Sequence, residues 1–225
     1  MGKTSMDRSF LFVLGSSRRD GNTESLARKA AEQLPAEVAQ RWIRLADHPL
    51  PDYEDRRHDA RDHAADDSAS QLFEATLGAT DLVIASPLYW YSLSSTTKRY
   101  LDYWSGWLRS PGVDFKAAMA GRTLWGVTVH SHAHREEEVV APLAGTLELT
   151  AAYMGMRFGG VLVGAGNRPG DVLGDPVGLG RAKTFFAREP VPARFPYEAR
   201  EAHETREAPA GDGGGPGAAE AAATP

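Results

Sequence analysis

Five short apolar runs recur along the chain, at Phe10–Leu14, Val38–Leu45, Leu82–Ala85, Thr123–Val129 and Phe158–Val163. Four are nearly continuous, the pattern of strands covered on both faces. The second alternates, with Val38, Gln40, Trp42 and Arg44 set against Ala39, Arg41, Ile43 and Leu45. That pattern predicts an edge or half-exposed strand. Stretches of helical character lie between and after the runs: Thr23–Leu34, Ser68–Ala79, Ser94–Leu108, Glu136–Tyr153 and Gly178–Ala187. Strand and helix alternate, which predicts an α/β fold: a doubly wound parallel sheet with right-handed crossovers and helices on both faces. Two segments break the rhythm. Asp47–Asp67 is charged and proline-bearing and reads as a long surface loop, with a helical turn over Asp59–Asp67. From about Glu189 the chain is rich in Pro, Ala, Gly and charge, and Ala208–Pro225 is too poor in apolar surface to order itself.

Composition narrows the function classes. The 225 residues, 42% hydrophobic, suffice for one medium α/β domain with a tail. The absence of cysteine excludes disulfides, thiolate metal sites and cysteine nucleophiles. A net charge of −5 gives no electrostatic reason to expect nucleic acid as a partner. No apolar run approaches membrane-spanning length. The polar start lacks the apolar core of a signal peptide, and Met6 stands where a myristoylation motif needs Ser or Thr. A cytoplasmic protein is the expectation.

The chemistry concentrates in the segments that follow the strands. After the first run comes Gly15-Ser-Ser-Arg-Arg-Asp-Gly-Asn-Thr23, then a helix start capped by Asn22 or Thr23. Gly15 lets the chain leave the strand tightly. The hydroxyls, the amide side chain and two arginines surround a helix N-terminus, whose unpaired amides favour an anion. Neither of two familiar nucleotide loops, Gly-x-x-x-x-Gly-Lys-[Ser/Thr] and Gly-x-Gly-x-x-Gly, follows the first strand, so a mononucleotide phosphate fits better than a triphosphate or a dinucleotide. The bland alternative is a capped strand-to-helix turn. After the third run comes Ser86-Pro-Leu-Tyr-Trp-Tyr-Ser92, in which three consecutive rings cannot all enter the core. They either line a planar heterocycle or bury a subunit contact. In open α/β sheets ligands sit outside the carboxyl ends of strands one and three, where these two segments meet.

Together, Gly15-Ser-Ser-Arg-x-x-Gly-Asn-Thr-x-x-Leu-Ala27 and Ser86-Pro-Leu-Tyr-Trp-Tyr-Ser-Leu-x-x-x-x-Lys98, with Leu101-Asp102, resemble the NAD(P)H-dependent FMN reductases of the flavodoxin-like superfamily. By order of elements the resemblance runs from about Phe10 to Ala187. It implies a flavodoxin-like three-layer sandwich whose five-stranded parallel sheet has the order 2-1-3-4-5, with FMN at the strand tips. The implied organisation is a flexible N-terminus (1–9), an FMN-binding domain (10–188) and a disordered tail (189–225). Carried over by position, Ser16, Arg18, Asn22 and Thr23, with Gly21 among them, hold the FMN phosphate. Pro87, Leu88, Tyr89, Trp90 and Tyr91 line the isoalloxazine. His130 and Ser131 stand where the family often has a small glycine-rich loop at the pyrimidine edge.

The implied activity is hydride transfer from NADPH or NADH through flavin N5 to a quinone-like, nitroaromatic or flavin acceptor. No side-chain nucleophile is needed, because the cofactor carries the chemistry. His130 is a candidate auxiliary. In an extended strand, His130, His132 and His134 would share a face and could ligate a metal. With the strand ending at Val129 that alignment is lost, so no metal site is expected, and one of these residues is read as a proton donor or quinone contact. A homodimer or homotetramer is expected, with the ring stripe Tyr100, Tyr103 and Trp107 serving either an interface or the core. Two rival readings keep the fold: an electron carrier of flavodoxin type without nicotinamide activity, and a non-catalytic binding module.

Overall fold

The first run forms β1 (Ser9–Leu14), and the alternating second run forms β2 (Ala39–Arg44) at the sheet edge. The other three form β3 (Asp81–Ala85), β4 (Thr123–His130) and β5 (Arg157–Ala165). All five are parallel, in the order β2-β1-β3-β4-β5. A sixth, two-residue strand, β6 (Val191–Pro192), pairs antiparallel with Arg157 and Phe158. The sheet therefore has one strand more than expected, in a proline-bearing stretch too short to show alternation. The structure, a computed structural model, describes residues 8–55, 67–131 and 135–195. All of these elements belong to one unit, Met1–Arg194. The helical turn expected before Asp67, together with His132 and His134, lies outside the described residues, as does nearly all of the expected tail.

The helices are α1 (Asn22–Ala31), α2 (Asp67–Gly78), α3 (Ser95–Trp107), α4 (Phe115–Met119), α5 (Glu136–Tyr153) and α6 (Pro176–Ala182). The five-residue α4 is too short to announce itself by periodicity. The last helix ends at Ala182, earlier than its pattern suggests, and a 3-10 turn spans Phe185–Ala187. Phe185 and Phe186 are both buried, and both pack against Trp125. Adjacent positions of an α-helix point in different directions and could not both reach that ring.

Strand alternation builds two cores. Phe10, Phe12 and Leu14 of β1 face Leu26, Ala27 and Ala30 of α1 and the Phe185–Phe186 turn. Leu11 and Val13 face the other way, toward a layer carrying Leu72 of α2, Tyr100 and Trp104 of α3 and Leu143 of α5. This is the three-layer sandwich. The ring stripe of α3 belongs to the second core. Tyr100, Trp104 and Trp107 are buried: Trp107 meets Phe73 and Phe115, Trp104 meets Phe115, and Tyr100 meets both tryptophans, all edge-on at 5.4–5.9 Å. Of the expected stripe, Tyr100 and Trp107 serve the core, while Tyr103 is half-buried at its edge against Tyr53 at 5.6 Å. Among the described residues no helix is long and apolar enough to cross a membrane.

Candidate functional site

The loops leaving the carboxyl ends of β1, β3, β4 and β5 surround one cavity of about 470 Å³, within the size range of small-molecule and cofactor sites. Its β1 side begins at Gly15, whose amide still donates to Ala85 O at 2.9 Å in β3. A Cβ on Gly15 would lie 1.8 Å from Thr97 Oγ1, so the close approach of α3 to this loop requires glycine. The Ser94 hydroxyl donates to Gly15 O (2.7 Å) and accepts from Thr97 N as the cap of α3. The first loop and the start of the third helix are thus joined by direct hydrogen bonds.

Beyond Gly15, Ser16 Oγ accepts from Arg18 N at 3.1 Å, and the chain turns through Asp20 at φ 53°. Helix α1 then starts at Asn22, with Gly21 as its N-cap and no side-chain cap. The expected cap by Asn22 or Thr23 is not made. Asn22 instead reaches across the cavity end, donating through Nδ2 to Arg168 O (2.8 Å) and accepting at Oδ1 from Gly170 N (2.8 Å). The start of α1 thus carries no side-chain cap, and Ser16, Gly21, Asn22, Thr23 and the exposed Arg18 line the cavity around it. An uncapped helix start beside hydroxyls and a guanidinium favours a phosphate.

Ser86 organises the second loop. Its hydroxyl accepts from Ser94 N (2.9 Å) and donates to Pro87 O (3.1 Å), while its carbonyl accepts from Thr128 Oγ1 (2.8 Å). Pro87 and Leu88 follow along the wall. Tyr89 and Ser92 then exchange two backbone hydrogen bonds, 3.1 and 3.0 Å, and close a two-residue reversal. Trp90 and Tyr91, at its tip, have φ of 50° and 64°. Positive φ at both tip residues defines a type I′ turn, which ordinarily carries Asn-Gly. Tyr89, Trp90 and Tyr91 all line the cavity, and Trp90 is 93% exposed.

Two further segments complete the walls. Strand β4 runs one residue past its expected end, to His130, whose side chain is nearly buried yet borders the cavity with Val129 and Ser131. Its Nε2 lies 3.2 Å from Glu136 Oε2 at the start of α5. The segment after β5 supplies Gly166, Asn167 and Pro169. Asp171 Oδ2 accepts from Asn167 N and Arg168 N (3.0 and 2.7 Å), and Gly166 N donates to His130 O (2.9 Å).

The electrostatics are one-sided. No carboxylate occurs among the described residues that line the cavity. Glu24 in the first turn of α1 is 2% exposed and gripped by Arg44 (2.6 Å) and Arg28 (2.8 Å). Burial pushes its carboxyl up, but the two guanidiniums outweigh this and hold it below the ordinary value. Arg44 also donates to Arg18 O (2.9 Å), and Arg19 pairs with Asp47 (2.8 Å), so both arginines of the loop are held by the β2 end.

All twelve residues singled out from the sequence border this one cavity: Ser16, Arg18, Gly21, Asn22 and Thr23 at one end, Pro87 through Tyr91 along the side, and His130 with Ser131 opposite. Sequence reasoning missed Val129, Gly166, Asn167 and Pro169. The Gly166-Asn-Arg-Pro-Gly170 run after the fifth strand was the available signal, since ligands gather at carboxyl ends of strands in such sheets.

Comparison with known proteins agrees with this arrangement. The profile of the NADPH-dependent FMN reductase family matches residues 9–160. The chain is 34% identical over 178 residues to YwqN of Bacillus subtilis (strain 168), a protein named for NAD(P)H-dependent, FMN-containing oxidoreductase activity; the match covers 78% of this chain and 95% of that one. Among solved structures, the Trp repressor binding protein from Bacillus subtilis superposes with a TM-score of 0.63 at 29% identity, covering 80% of this chain and 99% of that one. An FMN-dependent NADH-azoreductase from Bacillus anthracis, solved in complex with FMN, shares the fold with a TM-score of 0.55 at 12% identity, over 81% of this chain and 99% of that one. With a matching profile over most of the chain and a relative aligned along nearly its whole length, this protein belongs to the NADPH-dependent FMN reductase family.

Proposed function

We propose that the chain binds FMN in this cavity and uses NADPH or NADH to reduce a small planar acceptor of quinone, nitroaromatic or flavin type. The observation that carries the reading is the polarity of the cavity: phosphate-grade donors at one end, three rings at the other, and no lining carboxylate among the described residues. The residues fit the cofactor on chemical grounds. The uncapped α1 amides, Ser16, Thr23 and Arg18 suit a dianionic phosphate. The Pro87–Tyr91 wall suits a flat heterocycle.

When bound, FMN supplies the redox chemistry, taking a hydride from nicotinamide and passing reducing equivalents to the acceptor. The chain's own part is to anchor, orient and exclude water. The Ser94–Gly15 bond fixes the phosphate end relative to the aromatic wall, and the half-exposed rings of Tyr89 and Tyr91 leave an open face for a second planar molecule. Titration of the flavin-free protein with FMN, followed by quenching of flavin fluorescence, tests the binding. Anaerobic addition of NADPH or NADH should then bleach the bound flavin. Flavin that binds and does not bleach would favour an electron carrier, and absence of uptake would favour a binding module.

A further inference from the structure

The end of β4 carries a feature that anchoring a flavin does not explain. His130 is 6% exposed and its ring is not solvated, yet it borders the cavity. Its Nε2 meets Glu136 Oε2 at 3.2 Å, and the other oxygen of the same carboxylate, Oε1, accepts from Arg181 Nη1 of α6 at 2.7 Å. Arg181 is itself steadied by Val163 O of β5 (3.3 Å). Three elements thus hold one imidazole at the cavity wall. A carboxylate bonded to one ring nitrogen fixes the orientation of a histidine and stabilises its protonated form. The same Glu136 carboxylate is paired with Arg181 on its other side. An imidazole needed only to fill space would be held without a charged relay behind it.

Reduction of a quinone by a nicotinamide consumes a proton: NAD(P)H, one proton and the quinone give NAD(P)+ and the quinol. We infer that His130 delivers this proton to the acceptor, with Glu136 and Arg181 as positioning residues. This rests on the function proposed above. The proton leaves the imidazolium for the acceptor oxygen, and the neutral ring is recharged from solvent.

The test compares an acceptor that needs a proton with one that does not. His130→Gln, assayed at saturating FMN, should lose far more of its rate with a quinone than with ferricyanide, which takes electrons alone. Its rate with benzoquinone should fall about 100-fold, the scale of a lost general acid. Added imidazole should restore part of the quinone rate in His130→Ala. Glu136→Gln should fold normally and show a smaller, equally selective loss. In the flavin-free protein, the downfield proton of a hydrogen-bonded imidazole should be present in NMR spectra of the wild type and absent in Glu136→Gln. Equal losses on both acceptors, no loss on quinone, or an imidazole signal indifferent to Glu136→Gln would each overturn the assignment. Wild-type protein that takes up no FMN would instead defeat the parent reading, and this inference with it.

Discussion

At the residue scale, Gly15 and Arg18 do different work in the same loop. Gly15 is a steric requirement, because a Cβ would meet Thr97 Oγ1 at 1.8 Å. Gly15→Val should therefore destabilise the protein by about 1–3 kcal/mol, read as a lowered urea midpoint, as overpacking does elsewhere. A variant with an unchanged midpoint would show that the contact relaxes freely. Arg18 is exposed, so solvent weakens its attraction for an anion. Arg18→Met should lower FMN affinity about tenfold, roughly 1.4 kcal/mol, and leave riboflavin affinity alone. Equal losses for both ligands would remove Arg18 from the phosphate end.

At the scale of elements, Asn22 links two loops that are 146 residues apart in sequence. Its side chain satisfies Arg168 O and Gly170 N, so its ordering effect falls on the segment after β5. Asn22→Ala should hand both exposed backbone groups to water, a loss of about 0.5–1.5 kcal/mol per bond, and speed hydrogen exchange over residues 166–172. FMN and riboflavin affinities should fall by the same factor. A loss confined to FMN would mean that the side chain serves the phosphate directly. This clamp marks the limit of what the chain discloses on its own. The five main strands and five of the six helices follow from local periodicity, and the first and second loops announce themselves by glycine, hydroxyls and rings. The segment after β5 has only glycine and proline to show. Its role depends on a distant asparagine that no local pattern connects to it. The α3 rings left core and interface open for a related reason: helical spacing shows that side chains share a face, but not whether Phe73 and Phe115 will cover that face.

For the molecule as a whole, three carboxylates held below their ordinary values gather around the site. Glu24 steadies the start of α1; for Asp171 the amides of Arg168 and Asn167 dominate. Asp175 caps α6 and is raised by burial but lowered further by the amides of Ala165, Gly178 and Val177. A group whose folded value is depressed stabilises fully above its unfolded value and loses that contribution as pH falls through the folded one. The ordinary values are 4.5 for Glu24 and 3.8 for both aspartates. Acidification through and below that range should therefore loosen the α1 and β5 walls together, with bound FMN released into its fluorescent free form. Glu24→Gln should weaken the acid dependence of that release. A pH titration of flavin fluorescence alongside far-ultraviolet circular dichroism measures both, and identical acid curves for variant and wild type would contradict the account.

The reversal at Tyr89–Ser92 is closed by two main-chain bonds, and Trp90 at its tip is 93% exposed and packs into neither core. Selection can therefore rewrite position 90 without disturbing either core, so under the proposed function the breadth of acceptors can drift while the fold stays constant. Holding Trp and Tyr at the tip against their backbone preference costs about 1–2 kcal/mol per residue, a burden that Asn-Gly would lift. Trp90→Asn with Tyr91→Gly should melt higher and discriminate less among aromatic acceptors, and a double variant that melts lower would show that the rings themselves brace the turn.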